Sequence, residues 1–231
     1  MIWINKYRLK MIKPLVFTFC LFFFQWVLSQ SDTIKYKHYS SDFRFREGIY
    51  LNFEQVKYNQ PVAKQNIIST VNPYDLYFFE KILDEQTIAF YDQFGVRNEV
   101  KTSQIWGFSR KGALYINYSG DFNRIPVVGS ICHFVATVIV YEDRYPSSYY
   151  SPYYYGYQPT RQTSSEIRQF LLDFETGRVM EFTTDNVLIF LARDKELYDE
   201  YNNLSNRKKR QLKFLYIRKY NEKHPIMFPV K

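Results

Sequence analysis

The sequence predicts a single α+β domain: an antiparallel, curved sheet or partial barrel of about six to eight strands, followed by two or three C-terminal helices. Three observations lead there. Residues 104–141 carry the longest β-branched apolar run after the N-terminal stretch, including GALYINY and VVGSICHFVATVIVY. Short segments of period-two alternation precede that run, with glycine at the turns between them. Beyond residue 183 the apolar spacing changes to that of helices.

In chain order, residues 1–29 read as a signal peptide. Lys6, Arg8, Lys10 and Lys13 give a basic start, and residues 14–28 an apolar core broken only by Gln25. Val27 and Ser29 stand at the small-residue cleavage positions. The apolar stretch is shorter than the roughly 20 residues that span a bilayer, which favours cleavage over a retained anchor. Met11 is an alternative start that leaves a shorter leader. Cys20 is preceded by Phe19 and lies inside the apolar core, which argues against a lipidated cysteine.

Residues 31–41 are polar. Residues 42–52, DFRFREGIYLN, read as a strand that bends at Gly48. Residues 53–59 suit a short helix closed off by Pro61, and residues 67–70 a short strand. Asn72 followed by Pro73 is a helix-start signal, predicting a helix that runs towards Ile82. Residues 87–91 and 96–100 form a hairpin about residues 92–95. Residues 104–109 and 113–118 form another, with Arg110, Lys111 and Gly112 as a three-residue loop.

In the run at 127–141, one face carries Val128, Ser130, Cys132, Phe134, Ala136, Val138 and Val140. The other carries Ile131, His133, Val135, Thr137, Ile139 and Tyr141. Both faces are largely apolar, so a sheet is expected on one side and helices on the other. Residues 142–165, rich in Tyr, Ser and Pro, are predicted to be a mobile loop; eight of the 22 tyrosines lie at 141–157. Residues 167–174 and 178–182 make a further hairpin around Glu175, Thr176 and Gly177. Thr184, Asp194 and Ser205 are the expected caps of three helices. The third should run to about residue 221 with Leu212, Leu215, Tyr216 and Tyr220 inward, limited by Pro225.

The charge is uneven. The formal net charge is +8 over 231 residues, but four cations lie in the leader, so residues 30–231 carry +4. Residues 206–231 hold nine Lys or Arg and one Glu, so residues 30–205 are net acidic. This is a localised electrostatic surface, not a generally basic chain. Past the leader Cys132 is the only cysteine, so no intrachain disulfide is possible there and the core must supply stability.

Several motifs, in the order GIYLNFEQ, IWGFSRKGALYIN, RIPVVGSICHF, LLDFETG, DKELYDEYNNL and RKYNEKHPI, resemble an uncharacterised family of small exported proteins of Bacteroidota-type bacteria. The resemblance covers about residues 48–225. It implies export and a single domain, and brings no activity, cofactor or catalytic residue with it. The tyrosine-rich segment looks like an insertion peculiar to this chain.

The chemistry-bearing residues are sparse. No HExxH, paired-cysteine, GxSxG or glycine-rich phosphate motif is present, so neither a cofactor nor a metal site is expected. Cys132 and His133 are adjacent and therefore point to opposite strand faces, which prevents a thiolate–imidazolium pair. Cys132 reads as a buried thiol and His133 as a core or rim histidine whose one polar neighbour on its face is Thr137. Asp173 and Glu175, like Glu142 and Asp143, sit at strand ends where acids are ordinary.

Two features point to binding. Arg207, Lys208, Lys209 and Arg210, with Lys213 after them, place cations at the positive end of a helix capped by Ser205, where stability alone would place acids. Tyr149, Tyr150, Tyr153, Tyr154 and Tyr155 offer rings suited to stacking or docking. The expected function is that of a non-catalytic exported envelope protein, periplasmic or associated with the outer membrane. Its partner would be an envelope protein, an anionic glycan or a lipid headgroup; export disfavours nucleic acid. One alternative is a hydrolase or transferase acting on envelope polymers through carboxylates that the fold brings together. Another is a structural subunit of a larger envelope assembly.

Overall fold

The computed structural model describes residues 35–40, 42–144 and 160–230. Residues 37–229 form one compact unit, and residues 35, 36 and 230 belong with the chain ends. Residues 1–29, read above as a signal peptide, and the five tyrosines at 149–155 lie outside the described residues.

The first half of the chain forms β1 (Lys35–His38), β2 (Gly48–Tyr50), α1 (Phe53–Lys57), β3 (Val62–Ala63), β4 (Ile67–Ile68) and α2 (Phe78–Leu83). It continues with β5 (Thr87–Tyr91), β6 (Arg97–Lys101), β7 (Gly107–Arg110), β8 (Ala113–Tyr118) and β9 (Asp121–Arg124). A long hairpin, β10 (Ile131–Arg144) with β11 (Thr160–Asp173), leads to β12 (Val179–Glu181). The chain closes with α3 (Thr184–Leu191), α4 (Lys195–Asn202), α5 (Asn206–Lys223) and β13 (Met227–Val230).

The class is α+β, with helices mostly at the C-terminal end. Among the described residues the strands divide into four sheets, none closed, in place of one sheet or barrel. The five-stranded sheet has the order β3-β2-β7-β8-β9, and the three-stranded sheets β4-β5-β6 and β10-β11-β12; β1 pairs with β13. No described helix is long and apolar enough to cross a membrane.

Alternation along the strands builds the layers. In β8, Leu114 and Ile116 enter one core with Tyr50, while Tyr115 turns to another with Ile49 and Phe108. Across the first core lie Cys132, Phe134, Ala136, Phe170 and Leu172, the even-numbered face of the long hairpin. Phe134 and Phe170 stack at 5.5 Å, and each such buried side chain contributes about 1.5–3 kcal/mol by leaving water. The odd-numbered face gives Ile131 and Leu171 to a second core with Val187, Leu191, Tyr201 and Tyr216 from the C-terminal helices. The third core sets Phe78, Phe79 and Ile82 of α2, with Ile88 of β5, against the far side of the five-stranded sheet. The hairpin is thus covered on both faces where it begins, as its sequence requires. Further along, Val135, Ile139 and Tyr141 have no such cover.

One side-chain amide fixes α5 to this hairpin. Asn221 Oδ1 accepts from the Ile131 N–H at 2.8 Å, and its Nδ2 donates to the Ile131 carbonyl at 2.9 Å, as a neighbouring strand would. Gly129 makes room for it: a Cβ there would lie 2.3–2.4 Å from the Asn221 amide.

Several boundaries differ from the sequence expectation, each for a local reason. The strands of the long hairpin run to Arg144 and resume at Thr160, pairing Arg144 with Thr160, so residues 142–144 and 160–165 of the predicted loop are strand, and its remainder, 145–159, lies outside the described residues. Arg110 pairs with Ala113, leaving Lys111 and Gly112 as a two-residue turn with φ of 51° and 77°, not a three-residue loop. Asn72 caps only a turn, accepting from the Tyr74 N–H, and α2 starts at Phe78. Residues 42–47 are not strand, and β2 is confined to Gly48–Tyr50. The cap of α3 is Thr183, not Thr184. Leu215 is largely exposed, and Ile217 takes the inward position beside Tyr216 and Tyr220.

Candidate functional site

The basic run lies at a true helix start. Asn203 and Leu204 break the chain after α4, and Ser205, in an extended conformation, accepts from the Lys208 N–H at 3.4 Å. The four cations therefore occupy the first turn and a half of α5, where the aligned peptide dipoles present partial positive charge. No acid lies in that first turn. Arg207, Lys208 and Arg210 are exposed, and Lys209 is half-buried with its ammonium on Asn202 Oδ1 at 3.2 Å. Among the described residues no carboxylate stands within ion-pair distance of Arg207, Lys208, Lys209 or Arg210. The later cations differ. Lys219 pairs with Glu200 at 2.8 Å, and Lys223 with Asp194 and Glu196, each at 2.8 Å.

Lys213 is set apart from the run. Its ammonium donates to the Phe182 carbonyl at 2.6 Å and lies 4.0 Å from the Phe182 ring centre. Burial holds its pKa below the ordinary lysine value, with Glu181 opposing. It ties α5 to the segment entering α3, a structural role that spacing alone could not reveal.

His133 packs edge-on against Phe182 at 5.1 Å and Phe214 at 4.6 Å, and its Nε2 meets Gln169 Oε1 at 3.0 Å. Gln169 lies opposite Val135, one register step along, so the polar partner comes from the neighbouring strand and not from Thr137. Burial lowers the pKa of His133; the Gln169 contact opposes this and Lys213 adds to it. Cys132 points into the first core, fully buried, and its thiol donates to the Gly129 carbonyl at 3.2 Å. Burial pushes that thiol up to about 12, so it is no nucleophile at neutral pH.

Two acid-centred networks escaped the sequence reading because their partners lie far along the chain. Asp173, buried at the end of β11, accepts from Thr176 at 2.7 Å, from the Glu175 N–H at 3.0 Å and from both terminal nitrogens of Arg193. Burial raises its pKa, but the donors, Arg193 foremost, outweigh this and hold the carboxyl below its usual range. Asp194 caps α4 through the Leu197 N–H at 3.2 Å and also takes Lys223 and His224, the latter at 2.7 Å. Lys223 first, then His224, draw its pKa well below the carboxylate range. An Asp–His pair suggests a catalytic dyad. Here, however, the nearby Ser130 hydroxyl donates to the His224 backbone carbonyl and not to its ring. Both networks hold turns and helix ends.

A cleft of about 620 Å³ opens on the third core, lined by Glu80, Asp84 and Asp121 with Ser103, Tyr115 and Phe122. Glu80 is engaged by Arg110, leaving Asp84 and Asp121 as its uncommitted acids among the described residues. Asp84 is the C-cap of α2 and Asp121 opens β9, and no spacing in the sequence links them. Comparison with known proteins finds no family model that matches the chain. It likewise finds no similar curated protein or solved structure.

Proposed function

We propose that the protein is an exported, non-catalytic component of the cell envelope that holds an anionic partner against the N-terminal part of α5. The observation that carries this reading is the capped helix start bearing Arg207, Lys208, Lys209 and Arg210 with no acid in its first turn. Each cation there costs about 0.3–1 kcal/mol of helix stability at low salt, so stability does not account for them. A phosphate or carboxylate-bearing partner reverses the sign, meeting backbone N–H groups and cations together. The tyrosines at 149–155 would supply further contacts to a protein or glycan. Residence in the periplasm or at the outer membrane, and kinship with small exported Bacteroidota-type proteins, belong to the same proposal.

Reversing Arg207, Lys208, Lys209 and Arg210 to glutamate should move the protein from the envelope fraction to the soluble fraction of lysed cells. An unchanged distribution would remove the electrostatic basis of the reading. The acid-lined cleft favours a second reading, a hydrolase or transferase acting on envelope polymers. In that case the wild-type protein would turn over a cell-wall glycan, and Asp84→Asn with Asp121→Asn would abolish that turnover.

A further inference from the structure

We infer that the outward face shared by β10, β11 and α5 docks on an anionic lipid surface. This deepens the reading above, from an anionic partner in general to a membrane in particular.

Single exposed apolar residues are ordinary on protein surfaces, but a contiguous group is not. On the odd-numbered face of the hairpin, Val135, Ile139 and Tyr141 are 42%, 59% and 65% exposed, and Ile167 is 78% exposed. Ile167 stands opposite Thr137, between Val135 and Ile139, so the apolar side chains adjoin one another. Their neighbours on this face, Thr137, Ser165 and Gln169, carry no charge. A strand face meant only for water would alternate to polar or charged residues here.

The cations border this face. Phe214 of α5 is 42% exposed and meets His133, which lies on the same strand face next to Val135. Arg207, Arg210, Phe214 and Arg218 follow one another at helical spacing and share a stripe. Tyr216 and Tyr220, on the other side of the helix, are buried, and buried Ile217 adjoins the stripe at Arg210. Three arginines thus line the same side of the helix as an aromatic side chain that meets the strand face at His133, beside Val135.

This combination selects lipid over a soluble polyanion. A glycan or free phosphate would use the arginines and leave the isoleucines in water. At a bilayer surface the guanidinium groups meet phosphates while Ile139, Ile167 and Phe214 enter the boundary below the headgroups.

The test is sedimentation of the protein with vesicles of phosphatidylcholine, alone or with about one quarter phosphatidylglycerol, beside retention on heparin as a soluble polyanion. Binding to the anionic vesicles only is expected. Ile139→Thr with Ile167→Thr, which keeps β-branched residues on the strands, should reduce partitioning about tenfold while leaving heparin retention and the melting temperature unchanged. Arg207→Glu, Arg210→Glu and Arg218→Glu together should abolish both. Heparin retention without vesicle binding, or vesicle binding indifferent to the isoleucine variant, would overturn the lipid inference and leave the broader reading standing. Loss of both in the wild type would sink both. Self-association through the isoleucines, with no affinity for vesicles, would overturn the inference in favour of a second copy.

Discussion

At the scale of single residues, the side chains with the most consequence hold the C-terminal helices to the long hairpin. Asn221 satisfies both backbone groups of Ile131, which is fully buried. Asn221→Ala leaves that N–H and C=O without partners, and a loss of about 1–3 kcal/mol is expected from urea unfolding. Gly129→Ala should cost a similar amount by displacing the same amide. Acid affects the fold in two stages. The folded pKa of His133 is lowered, so its contribution is complete above about pH 6.5 and declines as pH falls towards the folded value. His133→Gln should flatten the stability profile just below pH 6.5, and an unchanged slope would show that the imidazole is not held neutral. Asp173 and Asp194 are also depressed, but as acids. Their contribution is present above about pH 4 and is lost as pH falls through their folded values.

At the scale of elements, what could be read in the sequence was what local chemistry decides. Asp194 and Ser205 cap their helices because an oxygen one position before the helix reaches the free N–H groups inside it. The opposed faces of Cys132 and His133 follow from strand periodicity alone. Where two local solutions compete, the sequence was less decisive. Thr183 and Thr184 are both able caps, and the observed one is set by the β12 exit, where the Phe182 N–H bonds the Gln169 carbonyl. Lys111 accepts a positive φ so that Arg110 can pair with Ala113, a gain the three-residue loop would forgo. The candidate site was half legible. The contiguous cations and their cap could be read directly, whereas the diversion of Lys213 to Phe182 depends on tertiary packing.

At the scale of the whole molecule, three cores stacked across two sheets explain stability without a disulfide, since Cys132 is a free buried thiol. The division of the strands into separate sheets was not legible, because pairing partners such as β2 and β7 lie far apart in the chain. The hairpin ladder runs up to the Arg144–Thr160 pair, so deleting residues 147–158 leaves three residues to close it, a common hairpin connection. The melting temperature should be unchanged, and an unfolded product would make that segment part of the fold. The proposed function requires that the cations at the start of α5 serve a partner and not the fold. Its most direct test pairs the salt needed to elute the protein from heparin with its urea midpoint, for wild type and the Arg207→Glu, Lys208→Glu, Lys209→Glu, Arg210→Glu variant. Lost retention with stability unchanged, or raised by about 1 kcal/mol, is the predicted result; full retention, or a protein that unfolds more easily, would contradict it.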